Sequence, residues 1–174
     1  GKQSWLFPNI TRSVSAIFFV IANSFAVTTG SLVSNAIGAR ARNELFPICH
    51  KVLKLGYAVG IPFVVVALLC NRWIVSFYTD NELLIELAFA PFVVMLLNYT
   101  FALPGYVYLN AVGGTGKTKI TFLFQVTTTC VYLVYLYWLS FCIKASLSLY
   151  LTAEYLFVIL LALQSIIHLK SKHY

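Results

Sequence analysis

Charged side chains are scarce in this sequence. Only 10% of its 174 residues are Asp, Glu, Lys or Arg, and the acidic residues number five. A soluble domain usually carries about a quarter charged residues, so this chain has too few charges to coat a globular surface. Apolar residues take their place, because 60% of the chain is hydrophobic and its mean hydropathy is +0.86. The composition indicates a membrane protein.

The sequence also lacks the patterns typical of catalytic and metal sites. Its four cysteines form no C-x-x-C pair, so we interpret them as small buried apolar residues. No histidine lies beside a serine or cysteine at a usable helical spacing. The net charge of +7 is spread over loops rather than along one face, which argues against a nucleic-acid partner. We therefore expect no catalytic residue, no metal, no cofactor and no enzyme activity.

Five uncharged runs divide the chain. They cover residues 13–39, 55–71, 87–116, 120–143 and 155–169. About 20 apolar residues span a bilayer as a helix, so three runs suffice alone and two need flanking residues. We predict an all-α membrane protein with five transmembrane helices, at about residues 11–37, 48–71, 82–113, 119–142 and 147–170. Pro62, Pro91 and Pro104 favour kinks inside them, and Pro104 with Gly105 is the strongest hinge candidate.

Basic residues predict the orientation in the membrane. Alternation of loops places most of them on one side: Arg40, Arg42, Lys51, Lys54, Lys117, Lys119, Lys170 and Lys172. Lys2, Arg12, Arg72 and Lys144 fall on the other side. The positive-inside rule then puts the C-terminus in the cytoplasm. An N-terminus outside, with no signal peptide and no initial Met, leads us to expect a fragment that lacks an N-terminal portion.

The first predicted helix carries two stripes. Ser24, Thr28, Ser31 and Asn35 form a polar stripe bordered by Asn23, whereas Phe18, Phe25 and Leu32 form an apolar stripe that we expect to face lipid. Polar and aromatic residues recur on later helices, including Asn98, Tyr99, Tyr106, Gln125 and Tyr132. These side chains either join helices or line an amphipathic cavity. The cavity candidates are Asn23, Thr28, Ser31, Asn35, Asn98, Tyr106 and Gln125.

One carboxylate enters a predicted span. Glu154 lies about two turns into the last helix from the outer side. The simpler interpretation is a structural or interfacial role for Glu154. The more specific alternative is that Glu154 binds a proton or a cation.

One motif resembles a nucleotide-binding loop. Residues 111–118 read A-x-x-x-x-G-K-T, one substitution from the phosphate-binding G-x-x-x-x-G-K-[ST] loop. That loop needs a preceding strand, a soluble helix and a downstream carboxylate, whereas long uncharged segments flank this motif. We interpret it as a tight glycine turn between two membrane helices, with Lys117 and Lys119 at the cytoplasmic interface. A membrane-bound nucleotide hydrolase that uses Lys117 stays as an alternative.

The order of these segments resembles the C-terminal lobe of the multidrug and toxic compound extrusion (MATE) transporters. "ANSFAVTTGSLVSNAIGARARNE" at residues 22–44 is similar to the family's eighth helix and its cytoplasmic loop. "IVSFYTDNELLIELA" resembles the segment between the ninth and tenth helices, "NAVGGTGKTK" the glycine-rich turn after the tenth, and "LTAEYLF" the start of the twelfth. A full member has twelve helices in two lobes. The resemblance therefore implies that residues 1–174 are an incomplete C-terminal lobe, without the N-terminal lobe and the seventh helix.

The resemblance also implies a function. The family exports small cationic or amphipathic solutes, driven by inward flow of Na⁺ or H⁺, by alternating access of two lobes. It implies an integral membrane protein of the bacterial inner (plasma) membrane. Some members carry a cation-binding aspartate in the tenth helix, where this chain has Ala102, so the cation site is unknown and Glu154 is a weak candidate. A lipid-linked oligosaccharide flippase of the same superfamily is the alternative, disfavoured because no Lys or Arg lies in mid-span.

Overall fold

The computed structural model describes residues 6–77, 82–143 and 147–171. Within these ranges every regular element is helical. The α-helices are α1 (Leu6–Gly38), α2 (Leu45–Leu69), α3 (Asn71–Ser76), α4 (Glu82–Gly114), α5 (Thr118–Trp138) and α6 (Leu147–Ser171). A 3₁₀ turn, Arg42–Glu44, precedes α2, and a π-helical turn, Leu139–Ile143, follows α5. Five of these helical segments are long and apolar enough to cross a membrane, which confirms the predicted fold class.

The first two long helices begin earlier than the sequence predicts. The α1 helix starts at Leu6 rather than near residue 11, and α2 starts at Leu45 rather than near residue 48. Each contains a proline close to its start, Pro8 in α1 and Pro47 in α2. The first backbone N–H groups of a helix have no partner within it, so proline is tolerated there.

Helix α4 lies at the centre of the described bundle. It contacts α1, α2, α5 and α6, and its most deeply buried side chains include Leu96, Leu103, Val107 and Val112. The contacts show that α1, α4 and α6 run parallel, while α2 and α5 run antiparallel to them. Helix α5 is peripheral, since Thr128 is the one buried residue among those described in this helix. The core therefore forms around α4.

Reciprocal tyrosine contacts join α2 to α4. The Tyr57 hydroxyl on α2 donates to the carbonyl oxygen of Thr100 on α4 (2.7 Å), and the Tyr99 hydroxyl on α4 donates to that of Gly56 on α2 (2.8 Å). The Tyr99 ring fills the space where a side chain on Gly60 would lie. Glycine at position 60 therefore lets the Tyr99 ring pack directly against the backbone of α2.

The predicted hinge in α4 is part of a continuous helix. Helix α4 is unbroken through Pro91, Pro104 and Gly105. A methyl group at Gly105 would lie 2.7 Å from the carbonyl oxygen of Val158, so this glycine lets α4 and α6 approach closely. Bending at Pro104 and Gly105 stays a prediction.

The glycine-rich motif is a turn between two long helices. Helix α4 ends at Gly114, α5 begins at Thr118, and Gly116 between them has φ of +85°. Glycine adopts this left-handed conformation without the strain that a side chain brings. In a phosphate-binding loop a β-strand precedes the glycines, whereas helix α4 precedes them here. The predicted turn is therefore confirmed.

The basic residues gather at one end of the bundle. Because α1, α4 and α6 are parallel, their C-terminal ends share one end with the start of α2 and α5. This end carries Arg40, Arg42, Lys51, Lys54, Lys117, Lys119 and Lys170. Arg72 follows α2 at the opposite end. Lys2, Lys144 and Lys172 lie outside the described residues, and the cytoplasmic orientation of the basic end stays a prediction.

Candidate functional site

A cavity of about 420 Å³ lies between α1, α4, α5 and α6. It is lined by Ala16, Phe18, Phe19, Ala22, Met95, Asn98, Tyr99, Ala102, Tyr106, Tyr132, Glu154, Phe157 and Val158. Most of these side chains are aromatic or aliphatic, and a few polar groups converge among them. Ligand sites commonly have this composition. Phe19, which is 51% exposed, places part of the lining at the surface of the described chain.

Glu154 and Asn98 meet inside this cavity. Glu154 lies on α6, two turns after its start, and Asn98 lies on α4. The Asn98 side-chain Nδ2 donates a hydrogen bond of 2.9 Å to Glu154 Oε2. The other polar atom of the amide, Oδ1, is buried and has no hydrogen-bond partner among the described residues. The close approach of α4 and α6 at Gly105 brings the two helices within reach of this contact.

Glu154 is the one charged side chain among the described residues that line the cavity. Its carboxyl group is partly buried. A carboxylate in a membrane span is costly unless it is paired, protonated or bound to a cation. The lining offers it a neutral amide and tyrosine hydroxyls in place of a basic partner. The cavity is therefore suited to a positively charged occupant.

Aromatic rings form the walls around this carboxylate. Phe19 and Tyr106 make an edge-to-face pair with ring centroids 5.7 Å apart, and Tyr132 and Phe157 make another at 5.8 Å. Such pairs hold the rings in fixed orientations. Ring faces attract cations and offer apolar area, so the walls suit organic cations and amphipathic solutes.

The structure brings some of the predicted cavity residues together. Asn98 and Tyr106 line the cavity, with Ala102 between them on α4 and Glu154 opposite on α6. The other candidates lie elsewhere: Asn23, Thr28, Ser31, Asn35 and Gln125 are exposed on the described chain and do not line this cavity. Their role as cavity residues stays a prediction.

The apolar stripe of α1 faces the core of the bundle rather than lipid. Phe18 is only 9% exposed, and Phe25 packs against the core, so the prediction that this stripe faces lipid is wrong for both rings. Leu32 alone of the three is exposed, at 42%. The polar stripe is exposed instead. Thr28, for example, donates its hydroxyl to the carbonyl oxygen of Ser24 in its own helix (2.8 Å), so no neighbouring helix is needed to satisfy it.

The sequence analysis identified Glu154 and Asn98 as candidate residues, but it did not predict that they contact each other. Glu154 and Asn98 are 56 positions apart, and no local pattern connects them. Their pairing depends on the parallel packing of α4 and α6. The sequence signals that exist are the single carboxylate in a span and the asparagine in mid-span.

Five helices of membrane length among the described residues indicate an integral membrane protein, and an amphipathic cavity lies between them. A family model described as MatE matches residues 9–139, which is most of the chain, and the chain belongs to this family. Members of the MatE family are membrane transporters with efflux or flippase functions, and they are not enzymes. Helix α6, with Glu154, lies beyond the matched residues. Searches of curated proteins and of solved structures gave no match.

Proposed function

We propose that this chain is the C-terminal part of a cation-coupled multidrug efflux antiporter that works by alternating access. The observation that supports this proposal is the cavity, in which aromatic walls surround a single carboxylate. Organic cations are attracted both to such rings and to a negative charge. Inward flow of Na⁺ or H⁺ supplies the free energy for their export.

The exposed polar stripe on α1 supports a two-lobe architecture. Asn23, Thr28, Ser31 and Asn35 are all exposed on the described chain. Polar side chains are costly against lipid and favour a water-filled cavity or a protein partner. We propose that this face of α1 looks towards an N-terminal lobe across a central substrate pathway.

Transport by the full-length gene product tests the proposal. We expect vesicles that contain it to move a fluorescent organic cation, such as ethidium, when a Na⁺ or H⁺ gradient is imposed. Collapse of both gradients with ionophores should stop this movement. ATP-driven transport that survives the ionophores would contradict the proposal.

The same vesicles separate this proposal from a flippase. A flippase for lipid-linked oligosaccharides handles a pyrophosphate headgroup, which favours a basic cavity, whereas the described lining contains no Lys or Arg. Translocation of a lipid-linked pyrophosphate sugar without ethidium transport would favour the flippase. Transport of ethidium alone would favour the antiporter.

A further inference from the structure

The hydrogen bonds of Asn98 and Glu154 leave one amide atom without a partner. Asn98 donates through Nδ2 to Glu154 Oε2, while its Oδ1 is buried and accepts nothing from the described residues. A primary amide has one donor end and one acceptor end. An ionised carboxyl group only accepts hydrogen bonds, whereas a protonated one also donates. The same amide can therefore satisfy both forms by presenting a different end.

We propose that Glu154 is the proton-binding carboxyl group of this transporter and that the Asn98 amide stabilises both of its protonation states. This inference rests on the proposed antiport and names its coupling ion and the atoms that hold it. It assigns the ion site to α6 and α4, at positions other than Ala102.

The proposed step conserves every atom and charge. In the ionised state, the N–H of Asn98 donates to Oε2, as the structure shows. A hydronium ion then transfers its proton to a Glu154 oxygen, which forms a new O–H bond, neutralises the carboxylate and leaves a water molecule. The amide then turns half a revolution about its Cβ–Cγ bond, and Oδ1 accepts the new O–H. Deprotonation reverses both changes, and no other bond forms or breaks.

The cavity lining favours a proton over a metal ion. A bound metal cation is surrounded by several oxygen ligands, whereas a proton needs one acceptor. The described lining supplies one carboxylate, one primary amide and three tyrosine hydroxyls as oxygen donors, and it contains no second carboxylate. The described residues also contain no group of three or more acidic, His or Cys side chains that could hold a metal.

The groups around Glu154 leave the carboxyl group as the natural proton carrier. Tyr99 and Tyr106 on α4 and Tyr132 on α5 are the other titratable side chains of the lining, and the described lining residues of α1 carry no titratable group. Tyr155, next to Glu154, donates its hydroxyl to the Val94 carbonyl oxygen instead. Tyrosines titrate far above neutral pH in their ordinary range, so the carboxyl group of Glu154 is the candidate proton carrier of the described lining.

Proton binding and solute binding oppose each other at this site. An organic cation between the aromatic walls is stabilised by the ionised carboxylate, and protonation removes that charge. The two ligands therefore compete for one site, which is the thermodynamic requirement for exchanging one against the other.

Infrared spectroscopy of the full-length protein tests the proton site without any transport. The difference spectrum between acidic and alkaline buffer should contain a carboxylic-acid carbonyl band from the wild type. Every carboxyl group that titrates contributes to this band, so Glu154→Gln should remove the Glu154 component and Asn98→Leu should shift it. Glu86→Gln is the matched control, because Glu86 is an exposed carboxylate on α4, and it should retain the Glu154 component. Circular dichroism checks that each variant is folded.

Ethidium transport in vesicles tests coupling. With a pH gradient, Glu154→Gln should lower the transport rate by about tenfold or more, a typical size for coupling between two ligands, whereas Glu86→Gln should not. The proposal is overturned if Glu154→Gln leaves the infrared difference spectrum unchanged or keeps pH-driven transport. If wild-type vesicles move no ethidium under either gradient, the antiport function fails, and the infrared result still decides the proton site.

Discussion

At the scale of single residues, the two tyrosines between α2 and α4 show how a polar group is accommodated in an apolar bundle. Tyr57 and Tyr99 each donate to a backbone carbonyl oxygen of the opposite helix. The Gly56 oxygen can accept both the Tyr99 hydroxyl and the helical N–H of Gly60, because a carbonyl oxygen has two lone pairs. The Thr100 oxygen has no helical N–H to accept, because residue 104 is proline, and the Tyr57 hydroxyl is its partner. The hydroxyl groups therefore tie the helices together without breaking either one.

Removing these hydroxyl groups should destabilise the protein modestly. We expect Tyr99→Phe to lower the free energy of unfolding by about 0.5–1.5 kcal/mol, the net value of a typical hydrogen bond, and Tyr57→Phe to do the same. SDS titration in mixed micelles measures both. Tyr137→Phe is the control, because Tyr137 is 65% exposed on α5. Equal stability of all three variants would show that the two hydroxyl groups contribute nothing.

Lys117 distinguishes the turn from a nucleotide site. It caps the start of α5, directly after Gly116. We expect Lys117→Ala to leave binding of a fluorescent ATP analogue at the background level of the wild type, because the turn joins two helices and no strand precedes it. Lys119→Ala serves as a charge-matched control. Saturable nucleotide binding that Lys117→Ala alone removes would restore the hydrolase interpretation.

At the scale of helices, glycine sets how closely α4 and α6 approach. The carbonyl oxygen of Val158 occupies the place of a side chain at Gly105, whereas the nearest atom to a methyl group at Gly113 would be 3.6 Å away. Both glycines lie in α4. Alanine favours helix more than glycine at both sites, so a loss of stability at Gly105 reports the packing.

We therefore expect opposite effects from two alanine substitutions in α4. Gly105→Ala should lower the free energy of unfolding by about 1–3 kcal/mol through overpacking against a backbone atom. Gly113→Ala should be neutral or stabilise by up to about 1 kcal/mol, because alanine favours helix more than glycine. SDS titration measures both. Similar stabilities would mean that α4 and α6 separate at little cost.

At the scale of the whole molecule, α5 and α1 present different sets of exposed side chains. Helix α5 exposes large apolar side chains such as Phe122, Leu133 and Val134, as expected of a face in contact with lipid. Helix α1 exposes the polar stripe beside apolar side chains such as Val20 and Val27. If α1 borders a central pathway as proposed, its exposed positions contact water and those of α5 do not.

Cysteine labelling in membranes measures this difference. We expect Thr28→Cys, in a background without native cysteines, to react rapidly with a membrane-impermeant maleimide. The control retains only native Cys130, which is exposed on α5, and it should react slowly because lipid excludes the reagent and the thiolate. Equal rates at the two positions would contradict a water-filled pathway beside α1.

The sequence by itself determined the helical class, the number of spans, the glycine turn and the family. These features depend on local properties, namely the length of apolar runs, the placement of charges and the backbone freedom of glycine. Helices α1 and α2 begin a few residues before the predicted bounds. The sequence assigned Phe18 and Phe25 to lipid, because hydropathy cannot distinguish a side chain facing lipid from one packed against another helix.

Only the tertiary structure decided which polar side chains meet. Asn98 and Glu154 become partners because α4 and α6 run parallel and approach closely at Gly105, and the same packing leaves Thr28 and Gln125 outside the cavity. Such contacts depend on the relative rotation and depth of whole helices. Those quantities follow from the summed packing of many side chains, so no stretch of the sequence contains them alone.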